Sequence, residues 1–161
     1  SRARAATSTP SATVCASTPA GATSVAVDGW QLVWADEFDR DGPPDPAHWT
    51  FEQGFVRNRE LQWYQPDNAR CVGGLLVIEG RRESRPNPLH ESDAKDWKRA
   101  RTTIDYTSSS LTTRGKHAWL YGRFEIRARI DARAGLWPAI WTLGVQGRWP
   151  ANGEIDLMEF Y

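Results

Sequence analysis

The sequence predicts an all-β sandwich. Three observations carry this expectation. Over YGRFEIRARID (121–131) apolar and polar residues alternate with period two, the signature of a half-buried antiparallel strand. Short runs rich in Val, Ile, Trp and Phe recur along the chain between Gly and Pro punctuation. No amphipathic helix longer than two turns is found. At 161 residues the chain is about one domain, long enough to bury a core.

Taken in order, residues 1–27 are rich in Ala, Ser, Thr and Pro and hold no acid, which predicts a flexible N-terminal segment before a domain at 28–161. The segment has no initiating Met and no apolar core of a signal peptide, so an export signal, if one existed, is already missing. An organelle transit peptide is the weaker reading, because no amphipathic helix is visible. WQLVWADEF (30–38) mixes aromatic and β-branched residues and ends in turn formers, as a strand does. GLLVIEGRRE (74–83) follows a Gly-Gly turn and reads as one strand. Residues 84–106, with Pro86, Pro88 and many charges, read as a long loop. In 121–131, Phe124, Ile126, Ala128 and Ile130 take one face, and Arg123, Glu125, Arg127 and Arg129 the other. LWPAIWTLG (136–144) and GEIDLMEFY (153–161) complete the strands.

Charge narrows the function classes. Twenty basic and twenty acidic residues give a net charge of zero, so nothing points to nucleic acid and there is no acidic arm. No apolar run approaches the ~18 residues of a membrane span. The nine Trp fit either a Trp-rich core or flat rings that stack on sugars. Cys15 and Cys71 fit one disulfide or two free thiols equally well. His48, His90 and His117 have no metal-like neighbours and receive no role.

The last strand is the most informative. Glu154, Asp156 and Glu159 stand among apolar residues, and carboxylates are costly to bury unless paired or put to use. In a flat strand Glu154 and Asp156 share a face while Glu159 points away. A β-bulge with one extra residue near Leu157–Met158 returns Glu159 to that face. Three carboxyls then line one surface. Leu157, Met158 and Phe160 call for burial and so argue against a merely exposed acidic edge.

GEIDLMEF resembles the active-site strand of glycoside hydrolase family 16 in its bulged, laminarinase-like form. LVWADEFD (32–39), NRELQWY (58–64), GLLVIEGRRE, YTSSSLTTRGKHAWLYGRFEIRARI (106–130) and GLWPAIWTLG (135–144) look like successive family segments in the right order. The resemblance covers about residue 30 to the end. It implies a β-jelly-roll sandwich with a sugar cleft, retaining endo-hydrolysis of β-1,3-glucan, and no cofactor. It gives Glu154 as nucleophile, Glu159 as general acid/base and Asp156 as support for the nucleophile. Trp137, Trp141 and Trp149 would line the cleft, and Asn58 would hydrogen-bond a sugar hydroxyl. Glu60 and Trp63 fit a structural role equally well, and core packing is the competing reading for the three Trp.

Many laminarinase-like members carry Arg where this chain has Ser110, and Ser cannot supply a charged fork of donors. Some members bind a structural calcium through a ligand near the family's C-terminus, so no metal is predicted for this chain. The expected partner is a polysaccharide, met by a secreted or periplasmic monomer. Mixed-linkage glucan or galactan as substrate, and a non-catalytic glucan-binding module, are the competing readings; a binder typically loses catalytic carboxylates, and all three are here. Family catalytic domains continue past the acidic strand, so the chain is expected to be the N-terminal part of one. Expressed by itself it should be insoluble or inactive on laminarin. Robust turnover by the purified 161-residue chain would refute that.

Overall fold

The computed structural model of the protein describes Arg2–Ser8, Ala26–Val27 and residues 29–161. Strands dominate: β1 (Arg2–Ser8), β2 (Ala26–Val27), β3 (Trp30–Asp36), β4 (Thr50–Phe51), β5 (Gln62–Tyr64), β6 (Ala69–Val72), β7 (Leu75–Ile78), β8 (Arg81–Pro86), β9 (Thr103–Ser108), β10 (Leu111–Thr112), β11 (Arg123–Arg127), β12 (Ala139–Leu143) and β13 (Glu154–Glu159). Helix among the described residues is limited to α1 (Trp97–Ala100) and a 3-10 turn at Pro66–Asn68. No helix is long and apolar enough to cross a membrane. The chain forms two compact units, Ser1–Ile126 and Arg127–Tyr161.

In the first unit β11, β1, β3 and β2 are neighbours in one sheet. β5, β9 and β8 form a second, with β5 parallel and β8 antiparallel to β9. β4 pairs with β10, and β6 with β7. The segment 1–27, expected to be flexible, thus contributes β1 and β2. Ladder pairing along β3 needs only main-chain N–H and C=O groups, which an Ala/Ser/Thr stretch supplies as well as any other. Residues 9–25, Cys15 among them, lie outside the described residues. Cys71 is buried and has a free thiol, which burial pushes above its ordinary pKa.

Aromatic packing ends β3. The Asp36 carboxylate accepts from the Phe38 amide at 2.9 Å and from Trp49 Nε1 at 2.7 Å, turning the chain. Trp34 sits among Trp49, Trp119, His48 and His117, with ring centroids 5.3–5.9 Å away. His48 Nδ1 lies 2.8 Å from His117 Nε2 and accepts from Trp34 Nε1 at 3.3 Å, which ties the two imidazoles into the cluster. Burial and the facing His48 hold the His117 pKa below its ordinary value.

Three strand boundaries differ from expectation. GLLVIEGRRE is two strands. The Gly73-Gly74 turn, with φ of 56° and 71°, closes the β6–β7 hairpin at the Val72–Leu75 pair, as a two-residue turn with positive φ should. The chain then leaves that hairpin at Glu79. Fully buried Asn68 causes the transfer: its carbonyl accepts from the Glu79 amide at 2.8 Å, and its Nδ2 donates to the Glu79 carbonyl at 2.8 Å and to Thr107 Oγ1 at 3.0 Å. β8 accordingly pairs with β9. Residues 84–106 are therefore not all loop, since β8 runs to Pro86 and β9 begins at Thr103. Lastly, β11 shows the expected alternation, with Phe124 and Ile126 half-buried, but ends at Arg127; Ala128 and Ile130 are exposed and have no strand partner among the described residues.

The second unit is the β12–β13 hairpin and its loops. The hairpin loop is closed at its neck: the Gly144 amide donates to the Gly153 carbonyl at 3.1 Å, and Asn152 Nδ2 to the Gly144 carbonyl at 2.8 Å. A Cβ on Gly144 would stand 1.9 Å from the Asn152 carbonyl oxygen, so only glycine allows this approach. In the protein that carries this segment, Gly144→Ala should lower stability by about 1–3 kcal/mol. Thermal unfolding of the variant checks this, and an unchanged midpoint would count against the neck geometry.

Candidate active site

The register of β12 on β13 decides which side chains share a face. Leu143 pairs with Glu154, Thr142 with Ile155 and Trp141 with Asp156; the next pairs are Ile140 with Met158 and Ala139 with Glu159. Leu157 has no partner, so two steps on β13 answer one on β12. Paired residues lie on the same face, and residues 139, 141 and 143 alternate with their neighbours on β12. Glu154, Asp156 and Glu159 therefore lie on one face with Trp141. The bulge falls where the spacing of the acids requires it.

A side-chain contact agrees with that parity. Trp137, two residues before β12, donates from Nε1 to Glu159 Oε1 at 3.0 Å. The bond orients one carboxylate oxygen of Glu159. Tyr161 packs against Trp137 at 5.7 Å between ring centroids. Glu154, Asp156 and Glu159 are all exposed, Trp137 is 53% exposed and Trp141 half-buried. Trp149, in the hairpin loop, is 66% exposed. Trp137 and Trp149 are thus not buried in this unit, while Trp34, Trp49, Trp63, Trp97 and Trp119 engage in aromatic clusters of the first.

The apolar residues of the acidic strand differ from expectation. Ile155 is 67% and Leu157 41% exposed, and Met158 and Phe160 are only half-buried. β13 has β12 on one edge and no second neighbour among the described residues, and a two-stranded ribbon offers little cover.

Asn58 belongs to the first unit. It and Arg59, with φ of 53° and 54°, are the central residues of a turn closed by the Glu60 amide on the Arg57 carbonyl at 3.1 Å. Positive φ at both positions marks a type I′ turn, which Asn tolerates and Arg does not favour; the left-handed conformation costs an L-residue about 1–2 kcal/mol. Glu60 and Trp63 act structurally. Glu60 Oε2 accepts from Gln62 Nε2 at 3.2 Å and from the Tyr64 hydroxyl at 3.0 Å. Burial first, then the Glu60 charge, push the Tyr64 hydroxyl pKa up to about 12. Trp63 packs edge-on against Phe55. Ser110 Oγ donates to Glu52 Oε2 at 2.6 Å, and Glu52 is also ion-paired with Arg57. Among the described residues no three His, Cys, Asp or Glu side chains gather as a metal site. Sequence reading missed Tyr161 as a partner of Trp137 and Arg101 as a partner of the Asn58 turn, since neither contact has a local sequence signal.

Exposed carboxylates on one face, with the Trp137 indole against Glu159, put proton-transfer and stacking groups side by side. Known proteins carry similar sequences. Residues 83–161 match the model of glycosyl hydrolases family 16. A beta-glucanase from Rhodothermus marinus is 46% identical over 140 residues, covering 81% of this chain and 43% of that protein. Over residues 83–161 this is a glycosyl hydrolase family 16 sequence. The solved laminarinase from Rhodothermus marinus superposes with a TM-score of 0.63 at 46% identity, over 80% of this chain and 49% of that one. The catalytic domain of an endo-1,3-beta-glucanase (laminarinase) from Thermotoga petrophila gives 0.68 at 41% identity, over 83% and 52%. The all-β architecture is that of the family's β-jelly roll. The chain spans about half the length of these solved chains, and somewhat less of the curated relative.

Deleting Leu157 should turn Glu159 to the opposite face while keeping every carboxylate in the sequence. In the protein that carries this segment, the Trp137 indole N–H should then lose its bond to Glu159 and exchange with solvent faster. An unchanged exchange rate at the Trp137 indole would show that the bulge does not aim Glu159.

Proposed function

We propose that this chain carries the catalytic strand of a retaining endo-β-1,3-glucanase acting on laminarin-type polysaccharide. The supporting observation is the register shift at Leu157, which puts Glu154, Asp156 and Glu159 on one face of β13. The similarity to a beta-glucanase and to laminarinases supports the choice of glucan.

Glu154 attacks the anomeric carbon as a carboxylate. The glycosidic C–O bond breaks, and Glu159 gives its proton to the departing sugar oxygen. A glycosyl ester on Glu154 results. Glu159, now a carboxylate, takes a proton from water, whose oxygen attacks the same carbon and releases Glu154. Two inversions at one centre retain configuration. Asp156, next to Glu154 on that face, supports the nucleophile. The Trp137 N–H on Glu159 steadies the acid/base while leaving its second oxygen open. Trp137, Trp141 and Trp149 offer indole faces to sugar rings, and Asn58 a hydrogen bond to a hydroxyl. A soluble polymer cut internally calls for an enzyme outside the cytoplasm, secreted or periplasmic, that works as a monomer.

Glu154→Gln, made in the protein that carries this segment, should cut turnover of laminarin about a thousandfold or more while oligosaccharide binding stays within about threefold. Turnover at the wild-type rate would reject the nucleophile assignment. A wild-type protein that binds laminarin without cleaving it would reject the enzymatic reading itself.

A further inference from the structure

The turn that carries Asn58 is held from outside by the long connection between β8 and β9. The anchor of that connection is Asn87, 4% exposed: its Nδ2 donates to the Lys98 carbonyl at 2.8 Å and to the Arg101 carbonyl at 2.7 Å, and its amide to the Thr102 carbonyl at 2.9 Å. The backbone at Arg101 is therefore fixed. From there the guanidinium reaches across 42 positions of sequence. Its Nη2 donates to the Arg59 carbonyl at 2.9 Å and its Nη1 to the Leu61 carbonyl at 3.3 Å. Its Cζ lies 4.7 Å from the Phe55 ring centroid and 5.3 Å from that of Trp97. Two aromatic faces and two carbonyls fix a planar cation in one orientation.

The carbonyls it grips belong to the residues that need holding. Arg59 has positive φ without being Gly or Asn, and Leu61 follows the exit of the turn. A free turn of this sequence would relax toward negative φ at Arg59, carrying Asn58 with it. We propose that Arg101 is a positioning residue that holds the Arg57–Glu60 turn in its left-handed form and so presents Asn58 to the polysaccharide. This rests on the reading of Asn58 as a sugar contact.

The test is made in the protein that carries this segment, with three variants. Arg101→Ala should raise KM for laminarin about tenfold and leave kcat within about twofold, since the chemistry is untouched. Amide exchange at Glu60, whose N–H closes the turn, should accelerate. Adding Arg59→Gly, which takes positive φ freely, should bring KM back to within about threefold of wild type. Asn58→Ala should raise KM about as much as Arg101→Ala. Unchanged exchange at Glu60, or a KM defect that Arg59→Gly does not repair, overturns the positioning role. Faster exchange together with a wild-type KM for Asn58→Ala supports the clamp and overturns the sugar contact. The retained kcat of Arg101→Ala, and its repair by a second substitution, separate a misplaced turn from a misfolded protein.

Discussion

One unpaired residue organises the acidic strand. Strand side chains alternate strictly, so acids at positions 154, 156 and 159 cannot share a face without a break in the count. Leu157 is that break, opposite the Ile140–Trp141 step of β12. Parity on one side of it puts Glu154 and Asp156 with Trp141, and parity on the other puts Glu159 with Ala139 and Trp137. The Trp137–Glu159 hydrogen bond exists because the parity is restored. Bulges also sharpen local twist, which swings the end of the strand and brings long side chains on one face toward each other.

The two compact units solve different physical problems. The first buries polar side chains and uses them to hold backbone. Asn68 and Asn87 are almost inaccessible, yet each uses its side chain to hold backbone from another segment. Such residues end strands and fix connections by occupying backbone groups that a ladder would otherwise use. The second unit does the reverse. Its carboxylates and indoles face solvent, and exposure keeps three acids in close order without the desolvation that burial would impose.

How much of this was legible in the sequence depended on the range of the interaction. Alternation in RFEIR, the Gly-Gly hairpin and the need for a bulge near Leu157 are local, and each can be read from a few neighbouring letters. The division of GLLVIEGRRE could not be read, because the residue that divides it is Asn68, outside that run. The end of β11 was hidden for a similar reason: apolar alternation continues through Ile130, but a strand lasts only as long as a neighbour takes its hydrogen bonds. Charges and prolines made 84–106 look like loop, although its two ends supply β8 and β9. The acids were legible as a group, whereas Arg101 was not, since its aromatic faces and carbonyls come from four separate positions.

The clasp between Gly144 and Asn152–Gly153 has a consequence for how such a site can diversify. It ties off the loop before the paired residues begin, and the register beyond it is set by the bulge. Residues between the two ends of the clasp, Trp149 among them, can then lengthen, shorten or change identity without altering the order of the acids. Loop sequence and strand register are thereby assigned to adjoining stretches of chain that can vary independently. A hairpin arranged in this way lets a lineage rework the loop while the pairing of its strands is inherited intact.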